Sequence, residues 1–102
     1  MAEQTTKNQT IELTPEIIQL LFLKNDSIVI SKIEDIGSEL GEPDCKLTKP
    51  YEVVLDEDNK TALIPWLIKY TDQRQFMVHS DQILTMADPN VKLSKLYNEK
   101  LL

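Results

Sequence analysis

The segment from Cys45 to Leu55 constrains the fold most, because apolar and polar side chains alternate along it. The odd positions are nearly all apolar: Cys45, Leu47, Tyr51, Val53 and Leu55. A period of two is what a β-strand needs to present one apolar face and one solvated face. The segment therefore predicts a half-buried strand of an antiparallel sheet. Pro50 lies on the polar face and cannot donate to a neighbouring strand, so it predicts a bulge or an unpaired edge position.

Other short extended segments are joined to this one mainly by tight turns. They are predicted at residues 20–24, 27–36, 61–70 and 75–79, with a further extended stretch at 82–86. The apolar positions of the second segment change face between Ile30 and Ile33, which predicts a bulge or a sharp bend. Pro65 predicts a break in the pairing of the fourth. We expect a mainly β protein, because five short, bent antiparallel strands close more readily into a small open barrel than they lie flat.

Helices are predicted on both sides of this β-rich region. Thr14-Pro15-Glu16 combines a cap, a proline suited to the first helical position and a carboxylate at the positive end of the dipole. One helical turn is therefore expected before the first strand. Asp88-Pro89 predicts the start of a C-terminal helix, whose apolar stripe is Val91, Leu93, Leu96, Tyr97 and Leu101. The predicted organisation is a flexible segment at 1–13, a barrel domain at 14–88 and a helix at 89–102.

The composition is that of one globular domain of 102 residues, with 41% hydrophobic and 27% charged residues. A formal net charge of −6 weighs against a broad basic surface for nucleic acid, although it allows a local site. The single cysteine excludes an intramolecular disulfide and a Cys-based zinc cluster, which favours the cytoplasm. No run of about 18 apolar residues predicts a membrane span. The sequence predicts no metal site and no cofactor.

The turn His79-Ser80-Asp81 carries the most reactive set of side chains. The imidazole of His79 is suited to stacking on an RNA base or hydrogen-bonding to it, but it also suits a polar turn. A Ser-His-Asp nucleophile requires three groups arranged in space, which consecutive residues do not provide, so no enzyme activity is predicted. Asp56-Glu57-Asp58 lacks the glycine and distal glutamate of a calcium loop and predicts a solvated hairpin tip. Cys45 is expected to be a small buried hydrophobe.

The fourth predicted strand is apolar on both faces, which indicates that both are covered. In a chain of this size a second copy is the expected cover, with the helices as the alternative contribution, so a homo-oligomer is predicted. Trp66 is interpreted as an anchor of either the core or a subunit contact. The predicted interface residues are Ile64, Trp66, Ile68, Phe76 and Val78.

This order of elements resembles the Sm and Sm-like (LSm) RNA-binding family, which has an N-terminal helix followed by a five-stranded, strongly bent open barrel. Residues 23–26 are similar to the turn of that family's first motif, and residues 78–83 to its second motif, where His79-Ser80 stand in place of the common Arg-Gly. Small uncharacterised Sm-like proteins of marine bacteriophages similarly combine a lysine-ended first hairpin, a pair like Pro65-Trp66 and an exit like Asp88-Pro89.

The resemblance, which covers about residues 14–102, implies a ring of identical subunits in which the fourth strand of one copy pairs with the fifth of the next. It also implies binding of single-stranded, U-rich or A-rich RNA without catalysis, with Lys24, His79 and Ser80 as candidate contacts. The alternative is a non-enzymatic structural or adaptor protein, phage-encoded, that engages another protein through its acidic face and its C-terminal helix.

Overall fold

Six strands and one C-terminal helix form the fold in the computed structural model, which describes residues 17–102. The strands are β1 (Ile17–Leu23), β2 (Ile28–Asp35), β3 (Cys45–Leu55), β4 (Thr61–Pro65), β5 (Gln75–Val78) and β6 (Ile83–Ala87). A 3-10 turn at Ser80–Gln82 joins β5 to β6, and helix α1 spans Val91–Leu101. The predicted mainly β class with a C-terminal helix is confirmed.

All strand pairs are antiparallel, and the sheet order is β4-β3-β2-β1-β6. Strand β5 also pairs with β3, because the long β3 is shared: its first part pairs with β5 and its second part with β4. Val78 and Ile83 lie on the two outermost strands yet pack against the same core cluster, so the sheet curls. Within residues 17–102 no pairing joins β6 to β4 or β5, and the curled sheet stays open.

A bulge interrupts the middle of β3. Ile30 of β2 lies opposite Tyr51, whereas Lys32 lies opposite Thr48, so β3 carries one more residue than β2 between these two pairs. Lys49, inside this interval, has a φ of 53°, in the left-handed region. The bulge predicted from Pro50 is confirmed. The bend predicted within the second strand is not found, because β2 pairs with β1 without a change of register and the extra residue belongs to β3.

The bulge inverts the faces of β3, because one extra residue exchanges the two sides of a pleated strand. Cys45 and Leu47 pack in one core cluster, whereas Tyr51 and Val53 pack in another. The prediction that these four residues share one apolar face is therefore wrong. Pro50, which was expected on the polar face, is fully buried.

Both faces of the curled sheet carry a core. The first cluster lies inside the curl and consists of Leu21, Leu23, Val29, Ile33, Cys45 and Leu47. The second lies under α1, where Ile30, Leu63, Leu93 and Tyr97 are buried and Ile18, Leu20, Tyr51, Val53, Leu96 and Leu101 pack around them. Burial of this much apolar surface on two sides is the main source of stability for a sheet of this size.

Helix α1 begins later than Asp88-Pro89 suggested. Its N-cap is Asn90, whose Oδ1 accepts a hydrogen bond of 2.8 Å from the backbone N–H of Leu93. Asp88 instead accepts a hydrogen bond of 2.8 Å from Nε2 of Gln19 on β1. The apolar stripe packs on the sheet, except that Val91 remains 76% exposed. No helix in residues 17–102 is both long enough and apolar enough to cross a membrane.

Two predicted element boundaries are wrong. The expected N-terminal helical turn begins at residues outside the described part of the chain, and where the structure starts, residues 17–19 are already strand, paired with β2. The fourth strand ends at Pro65 rather than at residue 70, and residues 66–70 form turns. Pro65 has no N–H to continue the pairing, and Leu67 adopts a φ of 61° that a strand does not allow. Counting β6 separately, the sheet has six strands rather than the five predicted.

Candidate functional site

Trp66 stands at the point where the chain leaves β4. Its backbone N–H donates a hydrogen bond of 3.0 Å to the carbonyl of Pro50 at the β3 bulge. Its ring meets the ring of Phe76 edge-to-face, with centroids 5.2 Å apart, and packs against the first core cluster. The indole is only half-buried, so one part of it anchors the core while the rest faces the surface.

Arg74 holds the loop at residues 66–74 to the sheet. Its Nη2 donates hydrogen bonds to the carbonyls of Trp66 at 3.3 Å and Thr71 at 3.2 Å. Its own carbonyl accepts a hydrogen bond of 2.7 Å from the N–H of Lys49 at the bulge. The guanidinium also lies 5.9 Å from the centroid of the Phe76 ring. These contacts tie both ends of the loop to the bulge that Pro50 creates.

The turn between β1 and β2 is connected to the 3-10 turn. Oδ1 of Asn25 accepts a hydrogen bond of 3.0 Å from the N–H of Ser27, a side-chain-stabilised turn in which Asp26 has a φ of 71°. The N–H of Lys24 donates a hydrogen bond of 2.9 Å to the carbonyl of Gln82. The two turns therefore lie side by side, although they are far apart in sequence.

A surface pocket of about 280 Å³, which we call the lysine–histidine pocket, lies between these two turns and the indole of Trp66. It is lined by Leu23, Lys24, Asn25, Trp66, Val78, His79, Gln82 and Ile83. The structure thus brings together Lys24 and His79, two of the three candidates found in the sequence. The amides of Asn25 and Gln82 were not singled out from the sequence, which carries no signal for them beyond their position in turns.

A second surface pocket, of about 350 Å³, lies on the other side of Trp66, and we call it the loop pocket. It shares Asn25 and Trp66 with the lysine–histidine pocket. The rest of its lining is Ser27, Glu52, Ile64, Pro65, Leu67, Ile68, Lys69 and Tyr70. Half of these residues, Leu67 to Tyr70, belong to the segment that was predicted as strand and is instead a loop.

Ser80, the third candidate from the sequence, lies elsewhere. Its N–H and its hydroxyl both donate to the carboxylate of Asp44, each over 2.7 Å. These bonds, the one from the hydroxyl above all, lower the pKa of Asp44 below its usual value. Asp44 and Ser80 line a different groove of about 450 Å³, together with Asp35 and the apolar Ile17, Ile33, Cys45 and Met86. Carboxylates at this groove disfavour a phosphate there.

The predicted interface residues divide into two groups. Trp66, Phe76 and Val78 are half-buried inside the chain's own core, where Trp66 and Val78 contact the first cluster. Ile64 and Ile68 keep 45% and 42% of their surface exposed. Cys45 is buried, as predicted, and burial, followed by the charges of Asp44 and Asp35, raises the pKa of its thiol.

The lysine–histidine pocket combines several kinds of polar group with an aromatic ring. It offers an aromatic face, two carboxamides, an imidazole and an ammonium group around one small space. Over residues 17–102 no group of three or more His, Cys, Asp or Glu side chains is placed to hold a metal ion. At the β3–β4 turn the carboxylate of Asp56 accepts from the N–H groups of Asp58 at 2.8 Å and Lys60 at 3.0 Å, so it serves its own turn.

The fold is a curled, open antiparallel sheet with one C-terminal helix, and a small surface pocket lies beside Trp66. The model of a family of unknown function, DUF6561, matches residues 16–101, and the chain belongs to this family. No curated protein matches the chain.

Proposed function

We propose that this protein binds single-stranded RNA, without catalysis, in the lysine–histidine pocket. The observation that carries the proposal is the convergence of Lys24, His79, Asn25 and Gln82 around the exposed part of Trp66. Aromatic faces stack on unpaired bases, carboxamides pair with base edges, and an ammonium group neutralises a phosphate. An unpaired strand is required, because only unpaired bases present both their faces and their edges.

The charge distribution supports this location. The chain carries a net charge of −6, and the neighbouring groove holds Asp35 and Asp44. The lysine–histidine pocket is lined by Lys24 and by no Asp or Glu. RNA therefore has one favourable approach on this end of the molecule. Because few phosphates are neutralised, the affinity is expected to depend only weakly on salt. The slope of log K against the logarithm of the salt concentration is about −0.7 for each phosphate contact.

We also infer that the protein assembles into a homo-oligomeric ring, as the Sm-like resemblance implies. In residues 17–102, β4 and β5 pair only with β3, and β6 pairs only with β1, which leaves free backbone groups on two unlike edges. Exposed apolar side chains lie along these edges: Ile64, Met77, Leu84 and Met86. Pairing of unlike edges between successive copies generates a ring when the rotation closes. The buried free thiol of Cys45 supports a reducing location, the cytoplasm.

The test of RNA binding is the fluorescence anisotropy of labelled oligo-U and oligo-A at low salt. Lys24→Ala and His79→Ala are expected to weaken binding by about fivefold to tenfold each, in line with one lost contact of about 1 kcal/mol or more. Lys100→Ala is the matched control, since Lys100 is an exposed lysine near the end of α1. Absence of binding at low salt, or an equal loss in the control, would contradict the proposal.

A second candidate, an adaptor that binds another protein, is favoured by the 450 Å³ groove beside Ser80. Its apolar floor and the carboxylates of Asp35 and Asp44 fit a partner segment with apolar and basic side chains. On this account Asp35→Asn releases the partner, whereas oligo-U does not displace it. A partner that is retained equally by Asp35→Asn would contradict this candidate.

A further inference from the structure

We propose that the lysine–histidine pocket and the loop pocket form one groove that binds two successive nucleotides. This proposal rests on the proposed binding of single-stranded RNA and assigns the second nucleotide to Lys69 and Tyr70. The two pockets share Trp66 and Asn25 in their linings, so they are adjacent on the surface of the protein.

Each half of the groove has the size and the groups for one nucleotide. Of the two volumes, about 280 Å³ is just below the range for small-molecule sites, roughly 300–1,000 Å³, and about 350 Å³ is near its lower end, which suits one base rather than a larger ligand. Lys24 supplies a cation to one half and Lys69 to the other. Each half therefore offers one cation to a phosphodiester backbone, and in the loop pocket the carboxylate of Glu52 offsets the charge of Lys69.

Tyr70 provides the second aromatic surface. Its side chain is 83% exposed, although burial of a tyrosine ring is strongly favourable. Exposed aromatic rings at the edge of a basic groove act as stacking platforms for single-stranded nucleic acids. The carboxylate of Glu52, in the same half, is an acceptor for the N–H groups of a base edge.

The loop that carries Tyr70 is held in one conformation before a ligand arrives. The N–H of Ile68 donates to the carbonyl of Pro65 at 3.2 Å, and those of Tyr70 and Thr71 donate to the carbonyl of Leu67 at 2.9 and 3.1 Å. Arg74 fixes the far end of the loop through its bonds to Trp66 and Thr71. A preorganised platform reduces the entropy lost on binding.

The test is a competition in which unlabelled UMP or the dinucleotide pUpU displaces labelled oligo-U. A groove for two nucleotides predicts that pUpU competes at least about tenfold better than UMP, because a second stacked base adds a contact of this size. Tyr70→Ala and Lys69→Gln are expected to remove most of this advantage and to leave competition by UMP unchanged.

Two controls separate stacking and charge from loss of structure. Tyr70→Phe keeps the ring and should retain the advantage of pUpU, and Lys100→Gln removes a lysine distant in sequence from both pockets and should change nothing. Equal competition by UMP and pUpU, or an equal effect of Tyr70→Ala on both, would overturn the two-nucleotide groove while leaving RNA binding intact. Failure of both oligo-U and oligo-A to bind at low salt would overturn both proposals.

Discussion

The hydroxyl of Tyr97 accepts a hydrogen bond of 3.0 Å from the backbone N–H of Lys32, at the level of the β3 bulge. The same hydroxyl donates its proton towards two carbonyls, that of Lys49 at 2.9 Å and that of Thr48 at 3.2 Å. A bulge interrupts the ladder of backbone hydrogen bonds between strands. The side chain of Tyr97, on α1, provides hydrogen bonds to backbone groups at that point. The helix therefore stabilises the bend on which the candidate groove depends.

Tyr97→Phe is expected to lower the free energy of unfolding by about 1–3 kcal/mol, because it removes the partner of the partly buried Lys32 N–H without opening a cavity. Urea denaturation followed by circular dichroism measures the change. Tyr70→Phe is the matched control, since that hydroxyl belongs to a side chain that is 83% exposed, and it should alter stability by no more than about 0.5 kcal/mol. Equal stabilities of the two variants would contradict the role given to the Tyr97 hydroxyl.

Glycine should have opposite effects at Lys49 and Lys46. An alanine side chain is strained at a φ of 53° and glycine is not, so the Lys49→Gly variant should be more stable than the Lys49→Ala variant by about 1 kcal/mol. At Lys46, which lies in the regular part of β3, the glycine variant should be less stable than the alanine variant by about 0.5–1 kcal/mol. Both Lys46 variants lack the Lys46–Glu34 ion pair, so its loss does not affect the difference between them. Urea denaturation showing the same sign at both positions would exclude the bulge at Lys49.

The stability of the protein should fall in acid partly because of Asp44. Folding lowers the pKa of this carboxyl from its ordinary value of 3.8, through the hydroxyl and then the N–H of Ser80. Its contribution is therefore complete above that value and is lost as the pH falls through the lower, folded-state pKa. Ser80→Ala and Asp44→Asn should both make the loss of stability below about pH 4 smaller than in the wild type. The midpoints of urea denaturation, measured across that pH range, report the change. Variant midpoints that fall with pH as steeply as those of the wild type would contradict the assignment.

Cys45 should react slowly with alkylating reagents at neutral pH. Its thiol is buried and its pKa is raised, so both access and thiolate formation are suppressed. We expect alkylation by iodoacetamide to be slower by about tenfold or more in the native protein than in urea. Since the chain has one cysteine, mass spectrometry reports this residue alone. Similar rates in both conditions would place Cys45 at the surface.

The sequence predicted the position of the bend but not its consequence. Pro50 indicated an interruption, since it is incompatible with a regular ladder, whereas the change of face after Ile30 reflects a regular strand that is buried on both faces. A single extra residue, however, decides whether Tyr51 shares a face with Leu47 or points to the other side, and alternation of residue types has no information on that register. The start of α1 after Asn90 was missed because Asp88-Pro89 has a similar capping pattern.

The candidate groove was predicted only in part for a related reason. Lys24 and His79 were identified through their turns, and they line one pocket because Lys24 is bound to the carbonyl of Gln82. Ser80 is the neighbour of His79 in sequence, but Asp44 takes both of its donors. Contacts between residues so distant in sequence follow from the curl of the sheet, which local patterns do not specify.

Trp66 offers the most direct test of RNA binding in the groove, because it is the only tryptophan in the chain and lies between the two pockets. Titration with oligo-U or oligo-A at low salt should change its emission saturably, with an affinity that weakens as salt is raised and on Lys24→Ala. Emission that stays constant while anisotropy reports bound RNA, or the absence of any binding at low salt, would contradict the account.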